Sequence, residues 1–404
     1  MHRTPISAPL LAAVLAGLAM LGPFSIDTFL PSFPALARDF AVTPLELQQT
    51  FSAYLLPFAV MALLHGTLSD SFGRRPVILV SLVVYLLASV GCALAQSFVQ
   101  LLLFRGLQGL SAGAGMVVGR AIIRDSFEGF AAQRLMSLVT MIFGLAPVLA
   151  PVIGGWLQSA FGWQSVFVFL ALYGAVMLAV CCWRLPETLS SSARQPFAPA
   201  PLARNYLKLA SSGRMLLLCL AIALNFAGFF LYISSAPAFI YNLVRLGAND
   251  FAWLFVPGIA GVMLGAFLSG RTAGRLTPQR TVKIGYLIMF GAVLLNIAHS
   301  TFATPAVPWS VLPVMCYTAG MALAMPSIML LALDLFPRNR GLASSFLGFG
   351  HSTFAALTAG LISPLLSGST ATLALGMAGL LSCGWLSWMM YRRLESQTTD
   401  DTRS

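Results

Sequence analysis

Two charges stand at matching distances inside apolar runs of this sequence: Asp27 near the end of the first run, and Arg105 near the start of the fourth. Each sits roughly six residues from the end of its run, which at 1.5 Å per helical residue puts both about 9 Å from one surface. An acid and a guanidinium at a common depth in apolar surroundings can exchange a proton with water and balance each other's charge. A second concentration of chemistry is Gly66-Thr-Leu-Ser-Asp70-Ser-Phe-Gly73-Arg74-Arg75-Pro76, an acid, two arginines and two glycines between long apolar runs. Arg74 or Arg75 is expected to pair with Asp125 at the far end of the fourth run, and Asp70 to face the amino end of a helix, where free N–H groups favour an anion. Exposed contacts of this kind are worth on the order of 1 kcal/mol or less each, which suits a latch that breaks and re-forms. Softer contacts come from Tyr54 and Phe58 at i, i+4, from Gln108 one turn after Arg105, and from Asn225, Phe229 and Tyr232 at i, i+4 and i+7. Such stripes either line a cavity, offering stacking and sparse hydrogen bonds to lipophilic molecules, or pack against other helices.

The elements that carry these groups follow from composition. Of 404 residues 58% are hydrophobic and only 9% are charged, and the mean hydropathy is +0.86. One globular core cannot hide that much apolar surface. Twelve apolar stretches of about 20 residues have the length that crosses hydrocarbon as a helix. The first is expected over 9–33, the fourth over 99–122, the fifth over 135–158, the seventh over 214–242 and the last over 371–391. The fold expected is therefore an all-α membrane protein of twelve transmembrane helices in two six-helix bundles, residues 1–184 and 214–404. Residues 185–213, polar and proline-rich, connect them. The first run is too long for a secretory signal and leads into Asp27 and a proline-rich exit, so it stays as helix one.

The net charge of +11 would suggest nucleic acid in a soluble protein, but its placement indicates a membrane instead. Arg74, Arg75, Arg124, Arg134, Arg184, Arg194 and many more fall in loops on one side, against Arg38 and Arg245 on the other. By the positive-inside rule both termini are expected in the cytoplasm. The six cysteines fall inside spans without metal-ligand spacing and read as packing residues. Of the histidines His2 is terminal, His299 and His351 are scattered, and His65 borders the charged turn, where it could titrate. No metal or cofactor is expected, and no paired catalytic carboxylates or Ser/His constellation points to an enzyme. The absence of a Gly-x-x-x-x-Gly-Lys sequence excludes an ATP-driven pump of that class. Sliding the chain by 200 residues sets Leu68-Ser69-Asp70 on Leu268-Ser269-Gly270 and Arg75 on Arg275, a weak internal repeat in which the second copy lacks the acid.

The glycine-acid-arginine turn resembles the loop between the second and third helices of major facilitator superfamily transporters. Three further stretches carry the likeness. Leu101-Leu-Leu-Phe-Arg105-Gly-Leu-Gln108-Gly109 is similar to that family's arginine motif, associated with proton coupling. Gly144-Leu-Ala-Pro147-Val-Leu-Ala-Pro151-Val-Ile-Gly154-Gly155 resembles the bent fifth helix of its exporters, and Asp27-Thr-Phe-Leu-Pro31-Ser-Phe-Pro34 resembles the twelve-helix drug:proton antiporters of the bicyclomycin and chloramphenicol resistance subfamily. The resemblance implies two parallel repeats with a site between them, a helix beginning near Gly341 as partner of Asp70, and proton coupling through the motif of Arg105, to which the common depth adds Asp27. It implies a monomeric bacterial inner-membrane exporter of small lipophilic drugs in exchange for protons. Export of a metabolite such as a sugar or nucleoside, or solute sensing without transport, are the alternatives.

Overall fold

The computed structural model describes residues 7–401, with the side chains of residues 8, 129, 338 and 396–401 left aside. His2 lies outside the described residues. Among these the chain forms twelve helices long and apolar enough to cross a membrane. Backbone polar groups in lipid must be satisfied within the segment, so helices are what such a composition dictates.

The chain divides into two compact units, residues 1–198 with 248–251, and 199–247 with 252–404. The first holds helices one to six: Pro9–Asp39, Pro44–Phe72, Arg74–Ala93, Phe98–Ser126, Phe130–Phe161 and Gln164–Arg184. The second holds helices seven to twelve: Gly213–Ser234, Ala252–Thr272, Pro278–Phe302, Leu312–Asp334, Arg340–Leu366 and Thr370–Glu395. In the first unit helix one packs on helix five, two on four, and three on both four and six. In the second, seven packs on eleven, eight on ten, and nine on both ten and twelve, the same neighbour scheme repeated. Residues 185–198 belong with the first unit, whereas Pro199–Ala210 forms a short amphipathic helix against helices seven and eleven.

Prolines and glycines divide several spans. Helix one runs as Ala8–Asp27, a tight turn Leu30–Ser32 and a second piece Phe33–Asp39. It therefore continues past residue 33, where the proline-rich stretch was expected to end it. Pro31 and Pro34 each stand in the first turn of a new helical piece, where a missing N–H is tolerated. Asp27 consequently lies 12 residues, about 18 Å along a helix, from the end of that span, and Arg105 seven residues, about 10 Å, from the start of its own. The counts to the helix ends differ, yet Arg105 touches Ser25 and Phe29, on either side of Asp27, so the two groups do share one level of the bundle. Helix seven stops at Ser234 and is followed by a wide turn over Ala238–Leu243, with Pro237 between, where one run to residue 242 was expected.

Gly73 and Gly274, with φ of 101° and 75°, both have the left-handed backbone that disfavours a side chain. They lie 201 residues apart, one more than the offset read from the sequence. Helix three starts directly after Gly73, whereas helix nine starts only at Pro278.

Candidate functional site

Arg105 is completely buried in the first unit. Its guanidinium lies between two aromatic faces, 4.4 Å from the centre of the Phe29 ring and 4.6 Å from that of Tyr54. Stacked cation–π contacts of this kind are worth about 0.5–2 kcal/mol. Nη1 donates to the Ser25 carbonyl at 2.8 Å and to Oε1 of Gln108 at 2.9 Å. Gln108 in turn donates to Ser89 on helix three at 2.8 Å. Gly109 makes this possible: a methyl there would stand 2.0 Å from the Tyr54 carbonyl, so only glycine lets helix four come close enough to helix two to place Arg105 over Tyr54.

Asp27 ends the first piece of helix one and is 4% exposed. It makes no ion pair with Arg105: its Oδ1 has no hydrogen-bond partner, and neither do Nε and Nη2 of Arg105. The direct partnership expected between them is absent: Nη1 is turned to a carbonyl and an amide oxygen, and the guanidinium plane lies between two ring faces rather than towards the carboxylate. Tyr54, stacked on Phe58 at 5.9 Å, is within electrostatic reach of both charged groups. Tyr54 and Gln108 thus touch Arg105 and are inaccessible, whereas Phe58 is half-buried one step away, on the far side of Tyr54. Buried ionisable groups with unused polar atoms are costly in an apolar bundle, which marks the site as one kept for a task.

At the other end of helix two, Arg74 is the hub of the charged turn. Its side chain is 8% exposed. Nη1 donates to Ser69 Oγ at 2.7 Å and to Asp70 Oδ1, and Nε donates to Asp125 Oδ2 at 2.9 Å. Arg75 turns away to the Cys182 carbonyl at 2.9 Å. Gly66 sits over Val117, so helices two and four run close at this level too.

Glu187 is the residue that sequence reasoning missed. Its carboxylate accepts from the backbone N–H groups of Arg74 at 3.0 Å and Arg75 at 3.2 Å, and so caps helix three from 113 positions away. Thr188 adds a bond to Asp125 at 3.1 Å, and the Gln195 N–H bonds the Asp70 carbonyl at 3.1 Å. The signal available was an acid just past the end of helix six; nothing local couples it to Gly73.

Helix five is broken where the glycine-proline pattern falls. Its first piece ends at Phe143, Gly144 and Leu145 form the joint, and Ala146 begins the second, with Pro147 in its opening turn and Pro151 within it. A methyl on Gly154 would lie 1.8 Å from the Thr28 carbonyl, and one on Gly155 would lie 2.2 Å from that of Ala248, a residue grouped with the first unit. Helix five therefore abuts helix one one residue after Asp27.

In the second unit the stripe on helix seven is tied up internally. Asn225 donates to Tyr286 at 2.9 Å and its carbonyl accepts from Tyr317 at 2.8 Å, Tyr232 accepts from Asn296 at 2.7 Å, and Phe229 stacks edge-on against Phe226. The periodicity identified a real face, and the structure packs that face on helices nine and ten. His65 is buried with both ring nitrogens unpartnered, and Asp334 pairs with Arg340 at the surface. Among the described residues no group of three or more His, Cys, Asp or Glu is placed to hold a metal ion.

A family model described as Major Facilitator Superfamily matches residues 15–360. A bicyclomycin resistance protein homolog of Haemophilus influenzae is 27% identical over 94% of both chains. The uncharacterized MFS-type transporter YdgK of Bacillus subtilis is 30% identical over 92% of this chain and 91% of its own. The multidrug resistance protein MdtL of Escherichia coli is 29% identical over 83% of each. Among solved structures the D-xylose-proton symporter superposes with a TM-score of 0.71 at 15% identity, covering 95% of this chain and 98% of its own. The human organic anion transporter MFSD10 gives 0.71 at 18%, covering 96% and 100%. Twelve spans, one neighbour scheme used twice, and a family match over most of the length agree: the chain is a multi-pass membrane transporter, not an enzyme, and belongs to the Major Facilitator Superfamily.

Proposed function

We propose that this chain exports small, largely apolar drug-like compounds across the bacterial inner membrane in exchange for protons, by alternating access. The observation that carries the reading is Asp27: a carboxyl group buried in a membrane bundle, one oxygen without a partner, on the same bundle as an incompletely bonded Arg105. A proton carrier must exchange its proton, and a carboxyl locked in a full set of bonds could not do so. Relatives named for bicyclomycin and multidrug resistance support the cargo class. In this reading both termini face the cytoplasm and the protein works as a monomer. The bundles 1–184 and 214–404 are the moving parts and residues 185–213 connect them. The turn of Gly66, Asp70, Gly73, Arg74, Arg75 and Asp125 is the latch, and the broken helix five allows the bundles to rock. Of the candidate contacts for cargo only Phe58 is half-buried; Tyr54, Gln108, Asn225, Phe229 and Tyr232 are packed away here and would meet cargo only in another state of the cycle.

The test begins with a strain lacking its major pumps, a chemically broad toxin panel and a protonophore. Efflux that collapses with the protonophore is expected. Substrate-induced proton release is then compared between purified parent and Asp27→Asn, and release should disappear in the variant while binding of a neutral compound persists. Equal release in both would remove Asp27 as the carrier and direct attention to Asp334 or His65. Flux of sugars or nucleosides without toxin efflux would assign a metabolite cargo, and binding without any flux would assign a sensor.

A further inference from the structure

A second cation of helix four belongs to none of the sequence motifs. Arg120 sits on the second piece of that helix, six residues before its end at Ser126 and so about 9 Å inside the span. It lines a cleft of about 100 Å³ between helices one, four and five, whose other walls include Leu15, Met116, Met136, Thr140 and Phe143. No carboxylate lines this cleft. Among the described residues Arg120 has no ion pair and no hydrogen bond, and Arg124, one turn on, is a like charge that repels it. The neighbouring acid Asp125 is already held by Arg74 and Thr188. The cleft thus has an apolar, methionine-rich wall that adapts to varied shapes and, at its mouth, the exposed guanidinium of Arg120 with no anion beside it. A guanidinium favours planar carboxylate-like anions that it can bond in two places.

We infer that this cleft binds small lipophilic organic anions, carboxylates above all, and that such anions are among the exported compounds. Arg120 holds the acidic group, and the ring or chain lies against Met116, Met136 and Phe143. The cargo half of the inference rests on the export reading, whereas the binding half does not. The cleft is too small for a whole drug-sized molecule, so it holds the anionic end while the remainder projects outward. Snorkelling of Arg120 to a lipid phosphate is the competing account.

The experiment uses the full chain in phosphatidylcholine nanodiscs and two radiolabelled probes of matched shape, 1-naphthoate and its neutral counterpart 1-naphthamide. The parent is expected to bind naphthoate about tenfold more tightly, the worth of one charge-assisted contact. Arg120→Gln should abolish the preference without weakening naphthamide, and Arg120→Lys should keep part of it. Gly119→Ala checks the location, because its added methyl would meet Leu15 at an ordinary 3.5 Å and so narrows the cleft without a clash. It should weaken both probes. Equal affinities in the parent, or a preference that survives Arg120→Gln, would overturn the inference. So would loss of the preference when phosphatidylglycerol is added to the nanodiscs, because the site would then belong to lipid. Naphthoate binding with no proton-coupled efflux of any compound would refute the export reading and the cargo half while leaving the site. Efflux of neutral compounds without the naphthoate preference would refute the site alone.

Discussion

Removal of the Glu187 side chain tests how the connecting segment holds the charged turn. Helix three begins at Arg74 immediately after Gly73, which has no side chain to cap it. The opening N–H groups of a helix have no partner inside it, and here those of Arg74 and Arg75 are bonded by the two Glu187 oxygens at 3.0 and 3.2 Å. Glu187→Ala removes both acceptors and the anion at the positive end of the helix. Losing a side-chain cap costs about 0.5–2 kcal/mol, and losing a negative charge at a helix start costs about 0.3–1 kcal/mol. The two effects share the same bonds and are not additive, so about 1–2 kcal/mol is the working figure. A local opening easier by that amount speeds amide exchange by about 5- to 30-fold. Hydrogen–deuterium exchange read by mass spectrometry on a peptide covering residues 71–79 measures it, with a peptide from helix ten as the internal control. Glu187→Gln, which keeps an acceptor but not the charge, should give a smaller rise. Unchanged exchange in Glu187→Ala would refute the capping role.

Gly154→Ala places a methyl 1.8 Å from the backbone oxygen of Thr28, which cannot swing aside as a side chain would. Helix five must then move away by more than about 1 Å, at roughly 1–3 kcal/mol. A lower thermal midpoint and weaker efflux are expected, and a parent-like midpoint would dismiss the close packing. Asp125, 23% exposed beside an Arg74 that is 8% exposed, should matter more to the fold than Asp70 at 45%. Asp125→Asn should therefore lower the thermal midpoint further than Asp70→Asn, whose main effect should fall on efflux. Cysteine cross-linking across the cytoplasmic ends should also change in Asp70→Asn. Normal efflux with unchanged cross-linking would leave Asp70 as a topological marker only.

The sequence was most legible where lipid acts as solvent. A bilayer demands about 20 apolar residues per span and confines most charge to the ends, so twelve helices could be read directly; the charged stretch read as a turn over Gly66 to Pro76 is instead helical up to Phe72, and the chain turns only at Gly73 before helix three begins. The ends of helix one were not legible in this way. Pro31 and Pro34 stop a helix when read along the chain, yet each starts a new turn once the neighbouring helices satisfy the backbone. Non-local partners were hidden for another reason. Periodicity placed Asn225 and Tyr232 on one face, but only the packed bundle shows that face meeting Tyr286 and Asn296. Equal depth suggested an Asp27–Arg105 pair, but depth carries no azimuth, and the guanidinium is turned instead to Ser25, Gln108 and two rings. Arg120 matches no motif and lies within a span, and only the packed bundle shows that the adjacent Asp125 is taken by Arg74 and Thr188.

Three arginines of the first unit differ in what already neutralises them, and that difference orders what each can do. Arg74 has two carboxylates and a serine oxygen within bonding distance, so its field is cancelled locally and reaches little beyond the turn. Such a group holds parts together. Arg105 has a carbonyl, an amide oxygen and ring faces but no formal negative charge, so much of its charge persists inside the bundle with Nε and Nη2 unused. In a medium of low dielectric that residual field acts over several ångströms on any nearby acid, which is how Arg105 can influence Asp27 without touching it. Arg120 lacks even that partial neutralisation and faces a like charge one turn away. Arg120 is exposed, so solvent can reach its charge, and the apolar walls beside it favour, in the proposed site, an anion that brings its own apolar surface.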